Sequence, residues 1–204
     1  MSIYFHEGDL PDGLDLGNCI AVDSETMGLN PLRDRLCVVQ VSAGDGDAHL
    51  VRFMPGVYNA PNLKAQLADP NRLKLLHFAR FDIAAVQQYL GVVMAPVYCT
   101  KIASKLVRTY TDRHGLKELC HELIGVELDK QQQSSDWGAK DISDAQKAYA
   151  ASDVLYLHRL KGVLDHMLER EGRTAAAEAA FGYLPARAAL DLAGFEATDI
   201  FAHA

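Results

Sequence analysis

Two acids one residue apart are the first place where this chain could do chemistry. In Ile20-Ala21-Val22-Asp23-Ser24-Glu25-Thr26-Met27-Gly28-Leu29, three apolar residues run into Asp23 and Glu25, and a glycine turn follows. On a strand, residues i and i+2 point to the same face, so the two carboxylates stand side by side. In a half-dry setting they repel, and one is driven to keep its proton. A shared proton or a divalent cation makes such a pair tolerable. A polar strand end fraying into solvent is the plain alternative.

Two further acids bear on that choice. Asp82 follows His77-Phe78-Ala79-Arg80-Phe81 and falls in the first turn of an expected helix, where the helix dipole alone favours a carboxylate. Asp153 closes Tyr149-Ala150-Ala151-Ser152-Asp153. At i and i+4, Tyr149 and Asp153 share one helix face. Val154 and Leu155 beside them put Asp153 in a partly buried setting, where pairing with an arginine is the plain account. Four acids are more than one shared proton can satisfy, which favours cations over a dyad.

These side chains need a sheet and helices to hold them. Strands are expected over residues 3–10, 19–24, 36–41, 48–53, 73–77 and 97–99, with turns at Pro11-Asp12-Gly13 and Gly44-Asp45-Gly46-Asp47. The run Leu36-Cys37-Val38-Val39-Gln40-Val41 is nearly all apolar, as a strand covered on both faces must be. Helices are expected over 62–68 with Asn62 as N-cap, 80–90 closed by Gly91, 100–108, and 115–124 stopped by Gly125. One long helix is expected from Ser143, its N-cap, to Arg170, and a last one over 174–191 with a bend at Pro185. The polar stretch 129–141 reads as a functional loop. Strands first and helices interleaved and following indicate one α/β domain over residues 1–204, a mixed central sheet flanked by helices.

Composition limits the classes. A chain of 204 residues builds a sizeable core without staples. No apolar run approaches the ~20 residues that span a bilayer, and no basic segment precedes an apolar one at the N-terminus, so no membrane association or secretion is expected. The four widely spaced cysteines form no Cys-x-x-Cys, which suits reduced thiols in a cytoplasm. A net charge of −7 argues against gripping long nucleic acid by broad electrostatics. Residues 100–117 run against that trend: Lys101, Lys105, Arg108, Arg113 and Lys117 face only Asp112, a local +4. Lys101, Lys105 and Arg108 fall on one helical face, either a solvated face or a phosphate-binding one.

The pattern Asp23-x-Glu25, Asp82 with Phe81 and Phe78 before it, and Tyr149-x-x-x-Asp153 resembles the DEDD superfamily of 3′–5′ exonucleases. The histidine form of that superfamily would carry His five residues before the last aspartate; this chain has Ala148, so the likeness is to the tyrosine form. Residues 130–137 (Lys-Gln-Gln-Gln-Ser-Ser-Asp-Trp) and 149–160 resemble ribonuclease D catalytic domains. Only about 35 residues follow the expected long helix, so the helical domains that ribonuclease D adds are not expected here. The stretches 33–40, 109–117 and 199–203 resemble the compact nano-RNase C family along essentially the whole chain. Phe78 is a departure, since asparagine is common there in the superfamily.

The resemblance implies a ribonuclease H-like sheet and two Mg²⁺ or Mn²⁺ ions held by Asp23, Glu25, Asp82 and Asp153, with Tyr149 orienting the attacking water. It implies hydrolysis of very short RNA, down to dinucleotides, to nucleoside 5′-monophosphates. Ribonuclease D-like trimming of tRNA 3′ ends and DNA exonuclease activity are alternatives in the same class. A nucleic-acid-binding module on an inactive exonuclease fold, which should have lost one of the acids, and a structural subunit are alternatives outside it. By similarity, Thr26, Met27, Gly28 and Leu29 line the terminal nucleotide, with Leu29 wedged between bases; a plain core anchor is the other account of Leu29. His77 either faces substrate or closes a strand. Gln133, Ser135 and Trp137 sit on the loop that would close over the substrate. A homo-oligomer, a ring of eight, is implied, with residues 174–204 as the candidate contact.

Overall fold

The computed structural model describes residues 2–129 and 131–203. Lys130, which opens the 130–137 stretch, and Met1 and Ala204 at the two ends lie outside the described residues. Six strands form one mixed sheet: β1 (Ile3–Glu7), β2 (Cys19–Thr26), β3 (Leu36–Ser42), β4 (Ala48–Arg52), β5 (Leu73–Leu76) and β6 (Val97–Cys99), in the spatial order β1-β4-β3-β2-β5-β6. β2, β3 and β4 make an antiparallel meander, while β1 joins β4, and β5 and β6 continue from β2, in parallel. The acid-bearing strand is therefore central. Every residue of β3 is buried, as its apolar run requires.

Around the sheet lie α1 (Pro61–Ala68), α2 (Ala79–Leu90), α3 (Thr100–Val107), α4 (Leu116–Ile124), α5 (Asp144–Leu155), α6 (Leu157–Arg170) and α7 (Thr174–Leu190), which runs into a wider final turn, Asp191–Phe195. α5 packs across β1 to β4, and α6 packs on α3, α4 and β5. The expected single helix over 143–170 is thus two helices, parted at Tyr156 (φ −108°, ψ −3°). Between Leu155 and Leu157 there is no glycine or proline to mark the break; it is set by the two different surfaces the halves must cover. Ser143 does cap α5, in a full capping box with Gln146.

Asn62 is not the cap of α1. The helix starts one residue earlier, with Pro61 in its first turn and Ala60 at the cap position. The Asp9 carboxylate accepts the backbone N–H of Asn62 and Leu63, both at 2.8 Å, so a distant side chain satisfies the helix start. Gly91 and Gly125 close α2 and α4 in the left-handed conformation. All four cysteines are free thiols. Among the described residues, no helix is long and apolar enough to cross a membrane.

Candidate active site

The end of β2, the first turn of α2 and the face of α5 meet at the acids. One carboxylate oxygen each from Asp23, Glu25 and Asp153 lies within 4.8 Å of the others, and all three residues are half-buried. Asp82 stands beside them, buried, its Oδ1 accepting the Ser24 hydroxyl at 2.6 Å. Gln40 on β3, paired in register with Asp23, donates its Nε2 to Asp23 Oδ2 at 3.0 Å. This all-oxygen set suits a hard divalent cation and offers nothing to a soft one.

Electrostatics point the same way. Burial, then the neighbouring Asp82, Asp153 and Glu25, holds the Asp23 carboxyl well above the usual carboxylate range. Burial, then Asp153 and Asp82, pushes Glu25 up to about 9. Burial pushes Asp82 up to about 7 against the pull of its Ser24 hydrogen bond. With no cation among them, these acids keep protons that they would shed in water.

Tyr149 shares the α5 face with Asp153. Burial, then the charges of Asp153, Glu25 and Asp23, raises its phenol above the ordinary value, so it stays protonated and is available as a donor. Trp137 packs against it, ring centroids 6.1 Å apart. Trp137 is only 3% exposed, so its indole supports Tyr149 from within the wall of the cleft. Its loop is tied down from the sheet: Arg52 donates to the carbonyls of Ala139 (2.8 Å) and Lys140 (2.6 Å), and Arg35 to that of Gly138 (3.3 Å). Ser135 accepts from Gln146 at 3.1 Å, which links the same loop to the first turn of α5.

The acids line a cleft of about 600 Å³, together with Thr26, Met27, Gly28, Leu29, His77, Phe78, Lys101, Lys117, Gln133, Ser135, Trp137 and Tyr149. Leu29 is 87% exposed, which excludes the core-anchor account. Its loop is held by Asp34, whose Oδ2 accepts the Asn30 N–H at 3.0 Å. A β-carbon on Gly28 would collide with that carboxylate, which is why the position takes glycine. His77 lines the cleft, and its Nδ1 bonds the Thr100 hydroxyl at 2.9 Å.

Three of the five basic residues of 100–117, Lys105, Arg108 and Arg113, are not in the cleft lining. α3 ends at Val107, so Arg108 (φ −108°, ψ 57°) leaves the helical face shared by Lys101 and Lys105. Arg108 is 0% exposed and spends its guanidinium inside the protein, on Ser104 Oγ (3.3 Å), the Arg113 carbonyl (2.7 Å) and the Glu122 carboxylate. Lys105 is exposed and lies outside the cleft lining. The phosphate-binding face expected from these residues is reduced to Lys101, with Lys117 entering from α4.

Ser24 and Gln40 were not anticipated as part of the site. Gln40 had a signal: a glutamine in an otherwise apolar, fully covered strand must find a partner. Ser24 lies between the two acids and points to the opposite face of β2, where it meets Asp82. Phe78 holds a left-handed backbone (φ 64°, ψ 40°), the only non-glycine residue among those described with positive φ. For a bulky residue that conformation costs about 1–3 kcal/mol.

Comparison with known proteins agrees with this geometry. The family model described as 3′–5′ exonuclease matches residues 10–169. A ribonuclease D of Gluconacetobacter diazotrophicus is 34% identical over 154 residues, 76% of this chain and 39% of that protein. The chain spans about two fifths of the length of the curated relatives it matches. Brucella melitensis NrnC bound to pGG is 56% identical, with a TM-score of 0.97 over 100% of both chains. The same protein with bound Mg²⁺ is 55% identical, with a TM-score of 0.96 over 100% of both. The chain belongs to the 3′–5′ exonuclease family, in the ribonuclease D-like group that includes NrnC.

Proposed function

We propose that this protein is a metal-dependent 3′–5′ exoribonuclease of very short RNA, which cuts dinucleotides to nucleoside 5′-monophosphates by a two-metal mechanism. The observation that carries it is the convergence of Asp23, Glu25 and Asp153, with Asp82 alongside, in a cleft of about 600 Å³. That volume suits a small ligand rather than a polymer groove. The pGG and Mg²⁺ held by Brucella NrnC, alike over its whole length, support both substrate class and cofactor. With a net charge of −7 and few basic residues at the cleft, little holds a long phosphate backbone.

In the reaction, water adds its oxygen to phosphorus, the bond to the 3′-oxygen breaks, and that oxygen leaves with a proton. Asp23, Glu25 and Asp153 hold the cations and Asp82 supports them. When bound, Mg²⁺ or Mn²⁺ supplies Lewis-acid charge that eases loss of a proton from water and balances the leaving oxygen. Tyr149, held protonated, donates a hydrogen bond that orients the water and takes no proton from it. Gln40 and Ser24 fix the oxygens of Asp23 and Asp82. The test is a rate comparison with 5′-labelled dinucleotides, a 20-mer RNA and duplex DNA in Mg²⁺. Dinucleotides should turn over fastest; a 20-mer cleaved as fast would sink the short-substrate reading, and preference for duplex DNA would replace it.

The raised carboxyls give a pH signature with a definite sign. Their folded values, about 7 for Asp82 and about 9 for Glu25, lie above the ordinary values near 4. The folded state therefore holds more protons than the unfolded one, and the stability they contribute is lost as pH rises through about 7 and about 9. Chelated protein should melt lower at about pH 9 than at about pH 6. Excess Mg²⁺ should reverse the trend, because the cations bind the deprotonated acids and release protons. Calorimetric melts at both pH values, with chelator and with Mg²⁺, check it; a chelated melting temperature that rises with pH would contradict it.

The protein is further proposed to act as a cytoplasmic homo-oligomer, its four free thiols suiting a reducing compartment. The family resemblance favours a ring of eight. Exposed Phe195, Ile200 and Phe201 in the tail are the candidate contact. Cutting after Leu192 leaves the Arg80–Asp191 ion pair (2.5 Å) intact, so the fold should survive while the mass in light scattering falls. An unchanged mass would refute the tail as the contact.

A further inference from the structure

Phe78 has a ring that neither the helix start nor the core uses. It sits at the cap position of α2, where its side chain makes no capping hydrogen bond. Its backbone is left-handed, a conformation that asparagine or glycine tolerates and a phenyl group does not improve. Its ring is not in the core: the residue is 47% exposed and lines the cleft that holds Asp23, Glu25, Asp82 and Asp153. The Lys101 ammonium lies 4.5 Å from the ring centroid. Helix start, backbone and core would all be served as well or better by a smaller residue. What a half-exposed aromatic ring beside a cation does offer is a stacking face next to a counter-charge for phosphate.

We propose that the Phe78 ring is a platform on which one base of a short nucleic-acid substrate stacks, making Phe78 a specificity-determining residue of the site. The inference rests on the nuclease reading above. It assigns the base contact to Phe78 and leaves Lys101 to the phosphate, so the two residues should be separable. Because every base has a π-face, the platform favours nucleotides over sugar phosphates without choosing strongly among bases.

The experiment measures calorimetric Kd, in Mg²⁺, for a dinucleotide analogue with a methylene in place of the bridging 3′-oxygen, which cannot be cleaved there. Two further analogues lack one base each. In the wild-type protein, loss of the stacked base should weaken binding about tenfold, within the roughly 5- to 150-fold span expected of one base on an aromatic ring. In Phe78→Ala, the intact analogue should bind about tenfold more weakly and the ratio of abasic to intact Kd should fall to about one. Phe78→Trp should keep the ratio. Phe78→Gly, which suits the left-handed backbone, should lose the ratio without a lower melting temperature. Lys101→Met should weaken intact and abasic analogues alike. A ratio that survives in Phe78→Ala, or a loss of binding in Phe78→Gly that tracks a fallen melting temperature, would overturn the platform. Failure of the wild-type protein to cleave ordinary dinucleotides would instead overturn the nuclease reading, since the Kd ratio is read without turnover.

Discussion

Asp23→Asn should lower turnover on the order of 10³-fold or more, while the chelated protein melts at a higher temperature than wild type at about pH 8. The two effects share one cause. The Asp23 carboxyl is held far above its usual range, first by burial and then by three neighbouring acids, so without a cation the folded protein resists ionising it. An amide of nearly the same size has no proton to give up, and its oxygen can still accept from Gln40 Nε2. The chelated fold gains because it no longer holds buried an acid that the unfolded chain ionises freely, whereas the cation site loses a ligand and its counter-charge. Mg²⁺, which should raise the wild-type melting temperature by mass action, should then raise that of the variant much less. Activity within tenfold of wild type would discard the metal-ligand role of Asp23. A chelated melting temperature that falls would show that burying the Asp23 carboxyl does not cost the folded protein stability. Tyr149→Phe is the informative contrast. Its hydroxyl is a donor and not a ligand, so turnover should fall about 10- to 100-fold with Mg²⁺ affinity unchanged. Lost affinity in a calorimetric titration would contradict that role.

The acids were legible because strand and helix periodicities are short-range rules. Asp23 and Glu25 share a face of β2 by the alternation of any strand, and Tyr149 and Asp153 share a face of α5 by the 3.6-residue repeat. Long-range packing is where the sequence is silent. Nothing between Leu155 and Leu157 marks a helix break, yet α5 must lie on the sheet while α6 turns to α3 and α4. The cap of α1 comes from Asp9, more than fifty residues away, a partner that no local rule for Asn62 reveals. Ser24 was overlooked because a serine between two acids looks like spacer, and only the approach of α2 makes it a donor to Asp82. Leu29 could not be placed from type alone, since leucine serves core and wedge equally; its exposure decides against the core.

Arg108 shows the same limit with a larger consequence. A helical wheel carried one residue beyond Val107 put it with Lys101 and Lys105, but the chain turns there and the guanidinium goes inward. It bridges Ser104 on α3, the Arg113 carbonyl in the following loop and Glu122 on α4. Ser104 in turn bonds His114 at 2.8 Å, just before the Gly115–Leu116–Lys117 wall of the cleft. Arg108→Met should therefore act on stability first. Removing one partner of a buried pair costs about 3–5 kcal/mol, and the low end applies because the Glu122 side chain is 31% exposed and stays partly solvated. For a chain of this size about 3 kcal/mol corresponds to a melting temperature roughly 6–12 °C lower. Lys105→Met, at an exposed position outside the cleft, should change neither melting temperature nor dinucleotide KM. Combining Arg108→Met with Glu122→Leu should cost less than the two changes added, because once the cation is gone an apolar partner no longer strands a charge. Thermal melts of the three variants decide it. A melting temperature within about 2 °C of wild type, with a large rise in KM that grows with salt, would return Arg108 to the phosphate-binding role that its sequence position suggests.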